Sequence, residues 1–212
     1  MPCTPTGPAA AGHPGPNLYQ VFSNSGPLAG NNQRFAFCPH CATPFGEAML
    51  ARCGRQQCVR CGFVHYLNPS PGVTVIVRDA QNRVLIGRRV DAARYGGRWC
   101  LPGGYIEYEE SFLDTARREV REETGLSIRL CGIVNVVSNL LDDLHHTLVI
   151  ILLAEVAGGR AEAADDLDAL RWVDPAAHAT MPYAFEADKR VIDWYFAGDL
   201  PVLPIDRRHA AR

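Results

Sequence analysis

The chain has 212 residues, 47% of them hydrophobic, and a formal charge of -2, enough for one ordinary domain with a sizeable core and a small accessory unit. That charge excludes polyanion binding driven by bulk electrostatics; Lys189 is the only lysine, so the positive charge is arginine, suited to local phosphate contacts. No apolar run approaches the roughly 18–20 residues of a membrane span, and no basic segment followed by a hydrophobic one opens the chain, so a cytoplasmic protein is expected.

Residues 1–33 contain no Asp, Glu, Lys or Arg but six prolines and five glycines, the composition of a flexible tail. The alternative is an arm packed on the body through Leu18, Tyr19, Val21 and Phe22. Residues 34–69 form a different unit. Cys38-x2-Cys41, sixteen residues, then Cys58-x2-Cys61 fits a four-thiolate tetrahedral zinc site, each pair a knuckle of a small ribbon. A unit too small to bury a core needs such a staple. Gly62 suits the tight bend after the second pair; Cys53 offers a competing thiol, but it and His40 are read as spectators, since four thiolates already close the site. A closed site of four thiolates leaves no open coordination position, so this zinc is structural.

A larger unit spans 70–200, followed by a C-terminal tail over 201–212. "GVTVIVR" (72–78) and "RVLIGRR" (83–89) are β-branched runs around a "DAQN" turn. Further strands are expected at 98–101, 128–138, 147–156 and 170–173. The run at 147–156 is too apolar for a sheet with one wet face, which places it centrally with both faces covered. One helix starts at Ser111, a cap with Asp114 at capping-box spacing, and carries an apolar stripe of Leu113, Ala116 and Val120. A second runs from about Phe185 to Ala197 and stops at Gly198. A mixed sheet between helices, an α/β/α sandwich, is the expected fold.

The first helix carries Glu119, Glu122 and Glu123. Related as i, i+3 and i+4, they share one face, with neighbours about 5–6 Å apart. Like charges so placed repel, and Arg117, Arg118 and Arg121 are read as pointing elsewhere. Hard oxygen ligands clustered on a rigid element suit Mg²⁺ or Mn²⁺.

The wider stretch, Gly104-x5-Glu110-x7-Arg118-Glu119-Val120-x-Glu122-Glu123-x-Gly125-Leu126, resembles the Nudix box. The resemblance implies that Glu119, Glu122 and Glu123 hold catalytic Mg²⁺ or Mn²⁺, that the Gly104 carbonyl adds a ligand, that Arg118 orients carboxylates, and that Glu110 sits at the metal periphery. It implies a further acid as general base. Alignment to "DDLDALRW" makes Asp166 the candidate, with Asp165 next, although glutamate is more usual there. Arg88, Arg89, Arg94 and Arg98 lead into the box and are candidates for bidentate phosphate contacts. His145 and His146 are read as a loop without chemistry.

The ribbon joined through "HYLNPSP" to such a domain resembles the subgroup of NADH, ADP-ribose and FAD pyrophosphatases. The "SQPWPFPxS" run of NADH pyrophosphatases does not follow Leu126, and Asp142 stands where many ADP-ribose pyrophosphatases have proline. "PYAFEADKRVIDWYF" is similar to the C-terminal helix of the ribbon-bearing ADP-ribose/FAD subgroup. The expected substrate is a nucleoside diphosphate linked to another moiety, ADP-ribose or FAD first, and the resemblance suggests a homodimer. The alternatives are a housecleaning nucleoside triphosphate pyrophosphatase and a non-catalytic nucleic-acid-binding regulator with a Nudix sensor domain. With only Arg34 at its edge and Arg52, Arg55 and Arg60 within it, and no basic stripe, the ribbon makes nucleic acid the weaker partner.

Overall fold

The computed structural model of the protein describes residues 19–23, 35–45, 55–142 and 145–206. Cys53 and Arg52 lie outside them. In chain order the elements are β1 (Tyr19–Ser23), β2 (Ser70–Arg78), β3 (Val84–Arg89), β4 (Trp99–Cys100), α1 (Phe112–Thr124), β5 (Leu126–Asp142), β6 (His145–Gly159), β7 (Leu167–Val173), α2 (Pro175–His178), α3 (Glu186–Ala197) and β8 (Leu203–Pro204).

One mixed sheet runs in the order β1-β5-β6-β2-β3-β4, with β7 also on β3 and β8 on β5. β6 is central, parallel to β2 and antiparallel to β5, as its apolar run predicts. Residues alternate between two cores. Val73, Val75, Val77, Leu152 and Ala154 pack with Leu113, Ala116 and Val120 of α1. Ile76, Ile151 and Leu153 face the other way, with Val191 and Ile192 of α3. Helices therefore cover both faces, giving the mixed-sheet α/β/α fold.

The sheet extends past both limits read from the sequence. Tyr19–Ser23, inside the stretch read as a tail, pairs in parallel with Val136–Leu140, and Leu203–Pro204, beyond residue 200, pairs with Gly132 and Ile133. The free edge of β5 offers unpaired backbone groups, and Tyr, Val and Phe in 19–23 favour extended chain. The short α2 escapes notice because a four-residue helix shows no period; Asp174 caps it, accepting from Ala177 N–H at 2.8 Å.

One break in the sheet creates the site. β2 and β3 share a single register pair, Arg78 with Val84, and then diverge. The segment 101–106 fills the gap: Val75 N–H donates to the Pro102 carbonyl and Val73 N–H to that of Gly104, each at 2.9 Å. Gly103, at φ +152°, passes so close to β2 that a Cβ would lie 2.2 Å from the Val73 carbonyl oxygen, a path open only to glycine.

Candidate active site

Helix α1 delivers the carboxylates. Ser111 caps it, its hydroxyl accepting from Asp114 N–H at 3.3 Å and donating to the Asp114 carboxylate at 2.6 Å, and Gly125 ends it. Its apolar stripe docks on β2, which turns Glu119 and Glu123 inward; both are buried. Glu123 accepts from Gly103 N–H at 2.9 Å. Burial pushes its carboxyl up to about 9, the Gly103 bond opposing and the nearby Asp166 adding. Glu119 is raised as well, by burial against the pull of Arg118.

Arg118 corrects the reading that it points elsewhere. Its guanidinium donates to Glu110 at 2.6 and 2.9 Å, to Glu119 at 2.8 Å, to Glu122 at 3.0 Å and to the Tyr105 carbonyl at 3.3 Å. Hydrogen bonding to Arg118 holds Glu110 down at about 2. The repulsion along the helix is thus relieved twice over. Arg118 gathers Glu110, Glu119 and the exposed Glu122 on one side, whereas Glu123 faces inward within reach of the Arg89 charge.

The loop before β7 completes the acids. Asp166 lies against Glu123; its Oδ2 pairs with Arg89 at 2.7 Å, and its Oδ1 is buried without a hydrogen-bond partner. Asp165 holds a left-handed backbone, φ +56°, and lines the same cleft. The cleft measures about 550 Å³ and takes in Gly104, Glu119, Glu123, Asp166, Arg89 and Arg94. Glu122 is not among its lining residues.

The predicted arginines divide by strand alternation. Arg89 turns into the cleft and Arg94 joins it from the following loop. Arg88 faces away, paired with Asp168 at 2.7 Å on the surface, and Arg98 donates to the Tyr183 carbonyl at 3.3 Å, outside the lining residues. Several cleft residues carry no role in the sequence reading. Asp188 of α3 is buried, accepts from Leu101 N–H at 2.9 Å and is pushed up to about 7 by burial. His145, read as loop, opens β6 and lines the cleft. No sequence signal marks Asp188, whose partner lies 87 positions away.

The donor set suits a hard divalent cation. Carboxyl groups of Glu119, Glu123 and Asp166 line one cleft with Gly104, whose carbonyl, bonded once to Val73, keeps a second lone pair. A Cβ on Gly104 would lie 2.3 Å from Glu119 Oε1, so the glycine is what lets this carboxylate approach the loop.

The cysteines are assembled as their spacing predicts. The four sulfurs of Cys38, Cys41, Cys58 and Cys61 lie within 4.8 Å of one another, with Cys38 to Cys61 and Cys41 to Cys58 at 3.6 Å. A tetrahedral zinc with arms of about 2.3 Å spaces its sulfurs about 3.8 Å apart. The two knuckles are matched: Ala42 N–H bonds back to the Cys38 carbonyl at 2.8 Å and Gly62 N–H to that of Cys58 at 2.9 Å. Ala42 and Gly62 take the same left-handed turn.

A helix-borne set of acids facing a nucleotide-sized cleft through a split sheet is the frame of a hydrolase that acts on phosphoanhydrides. The chain belongs to the Nudix family: the NUDIX domain matches residues 68–195. It is 29% identical over 130 residues to the ADP-ribose pyrophosphatase of Methanocaldococcus jannaschii, covering 61% of this chain and 75% of that protein. It is 28% identical over 196 residues to the NAD-capped RNA hydrolase NudC of Stutzerimonas stutzeri, covering 89% of this chain and 67% of the other. A Nudix hydrolase structure from Nitrosomonas europaea shares the fold at TM-score 0.63 and 22% identity, covering 77% of this chain and 91% of that one. Among the described residues no helix is long and apolar enough to cross a membrane.

Proposed function

We propose that this Nudix enzyme hydrolyses the pyrophosphate of a nucleoside diphosphate joined to another moiety, ADP-ribose or FAD first, with Mg²⁺ or Mn²⁺ held by Glu119, Glu123 and the Gly104 carbonyl, and Glu122 recruited from its Arg118 pair. A cation held there would supply charge to neutralise phosphate oxygens and would lower the pKa of a water. The observation that carries the reading is the meeting of buried Glu119 and Glu123 with the unpartnered Asp166 Oδ1 in one cleft. Arg118 positions Glu119 and Glu122, and Asp166 is the base that takes the proton of the attacking water, its other oxygen steadied by Arg89. Arg89 and Arg94 receive the phosphates.

The likeness to an ADP-ribose pyrophosphatase supports the substrate class. The four cysteines hold zinc as a staple for residues 34–69, ahead of a hydrolase domain beginning near residue 70.

The experiment is a panel of ADP-ribose, FAD, NADH, ADP-sugars and nucleoside triphosphates with Mg²⁺ or Mn²⁺, read by AMP or phosphate release. AMP from ADP-ribose or FAD is expected. Cleavage of triphosphates alone moves the protein to the housecleaning class, and no cleavage of any of them, with Glu122→Gln behaving as wild type, makes it a sensor.

A further inference from the structure

Beyond the carboxylates the cleft continues onto bare sheet. His145, Thr147 and Val149 alternate along β6 on the cleft face, and Asn139 of β5 stands directly across from Thr147 in the register. Asn139 is 9% and Thr147 7% exposed. Within the described residues neither side chain makes a hydrogen bond, and neither has a buried atom sealed from the cleft. Asn135, on the same strand, differs: its side-chain oxygen accepts from Val136 N–H at 2.8 Å. Buried polar side chains are rarely left without partners, because the loss of water is costly. Two of them adjacent, in a strand pair otherwise rich in Val, Ile and Leu, keep their polar atoms open to the cleft, where a ligand can bond to them in place of water.

Their distance from the acids sets what that ligand is. A Cβ on Gly72 would touch the Gly104 carbonyl oxygen at 3.1 Å and Val149 at 3.9 Å. Two residues along β6 from Val149 to Thr147 add about 7 Å, and the step across to Asn139 about 5 Å. This is the span of one nucleoside from its phosphate to the far edge of its base. An amide carries a coplanar acceptor and donor, which matches the amino group and neighbouring ring nitrogen on an adenine edge. Tyr105 and His145 line the same cleft.

We propose that Asn139 and Thr147 read the base edge of the substrate's nucleoside, an adenine, and so determine specificity. This rests on the reading of the chain as a nucleoside diphosphate pyrophosphohydrolase, and the test is made by binding so that the two stand or fall separately. Calorimetry with Mg²⁺ compares AMP, purine riboside 5′-monophosphate, which lacks the amino group, and ribose 5-phosphate. The wild type is expected to bind AMP about tenfold tighter than the purine riboside, the worth of one good hydrogen-bonded contact. Asn139→Leu and the isosteric Thr147→Val are each expected to shrink that preference severalfold, with ribose 5-phosphate affinity held within about twofold.

Equal binding of AMP and purine riboside 5′-monophosphate by the wild type, or an intact AMP preference in folded variants, overturns the proposal. If Asn139→Leu does not fold, Thr147→Val and the wild-type comparison still decide. AMP preference that depends on these side chains, in a protein that cleaves no anhydride, retains the base site and removes the hydrolase reading.

Discussion

Replacing Gly104 by alanine separates catalysis from stability. The added methyl would sit 2.3, 2.5 and 2.8 Å from the three carboxylate atoms of Glu119, whereas ordinary contact begins near 3.4 Å. These are the far end of a flexible side chain, so the carboxylate swings away by about 1 Å and the backbone stays in place. A displacement of that size in a reacting assembly costs about 100-fold in rate. Gly103→Ala strikes backbone instead, 2.2 Å from the Val73 carbonyl oxygen at φ +152°, with an expected loss of about 3 kcal/mol or more. The assay pairs kcat on ADP-ribose at saturating Mg²⁺ with the thermal midpoint. Gly104→Ala should lose about 100-fold in kcat with its midpoint within about 3 °C of wild type, and Gly103→Ala should melt on the order of 10 °C lower. A folded Gly104→Ala with wild-type kcat refutes the claim that Glu119 must lie against this loop.

Two further outcomes follow from the same geometry. Glu123 in the metal-free protein holds its proton up to about 9, against about 4.3 for an unfolded glutamate. A carboxyl raised on folding favours the fold most at low pH and loses that contribution as pH climbs toward 9. Asp188, pushed up to about 7, gives its own loss at lower pH, so the Glu123 share is read between pH 7 and 9: the metal-free wild type should lose stability there in denaturant titrations, and Glu123→Gln should flatten the slope. Identical slopes would count against the burial of that carboxylate. Strong chelation should speed amide exchange in residues 35–45 and 55–65 before the hydrolase body, and simultaneous loss of protection in both would argue against a separate structural metal.

Much of the fold is legible because hydrophobic period carries it. The run at 147–156 announces a central strand by being apolar on both faces, and Leu113, Ala116 and Val120 mark the buried side of α1. Glutamate spacing finds the acids but not their division of labour: Glu122 leans to Arg118 while Glu123 is buried, a distinction set by how α1 rolls on β2. Adjacent Arg88 and Arg89 must face opposite ways on a strand, yet which one meets the cleft depends on the pairing of β3 with β4 and β7. Asp166 and Asp165, singled out by alignment, both line the cleft. Asn139, Thr147 and Asp188 are silent in the sequence because their meaning lies in cross-strand and long-range partners, although polar residues interrupting "NVVSNLL" and "HHTLVII" were a readable irregularity.

The tie between Asp188 and Leu101 has a consequence for synthesis. Leu101 opens the loop that carries Gly103 and Gly104, and its amide is secured by a helix residue 87 positions further along the chain. A nascent polypeptide that has already extruded every box glutamate still lacks this anchor, so the enzyme should stay inert on the ribosome until α3 emerges and docks.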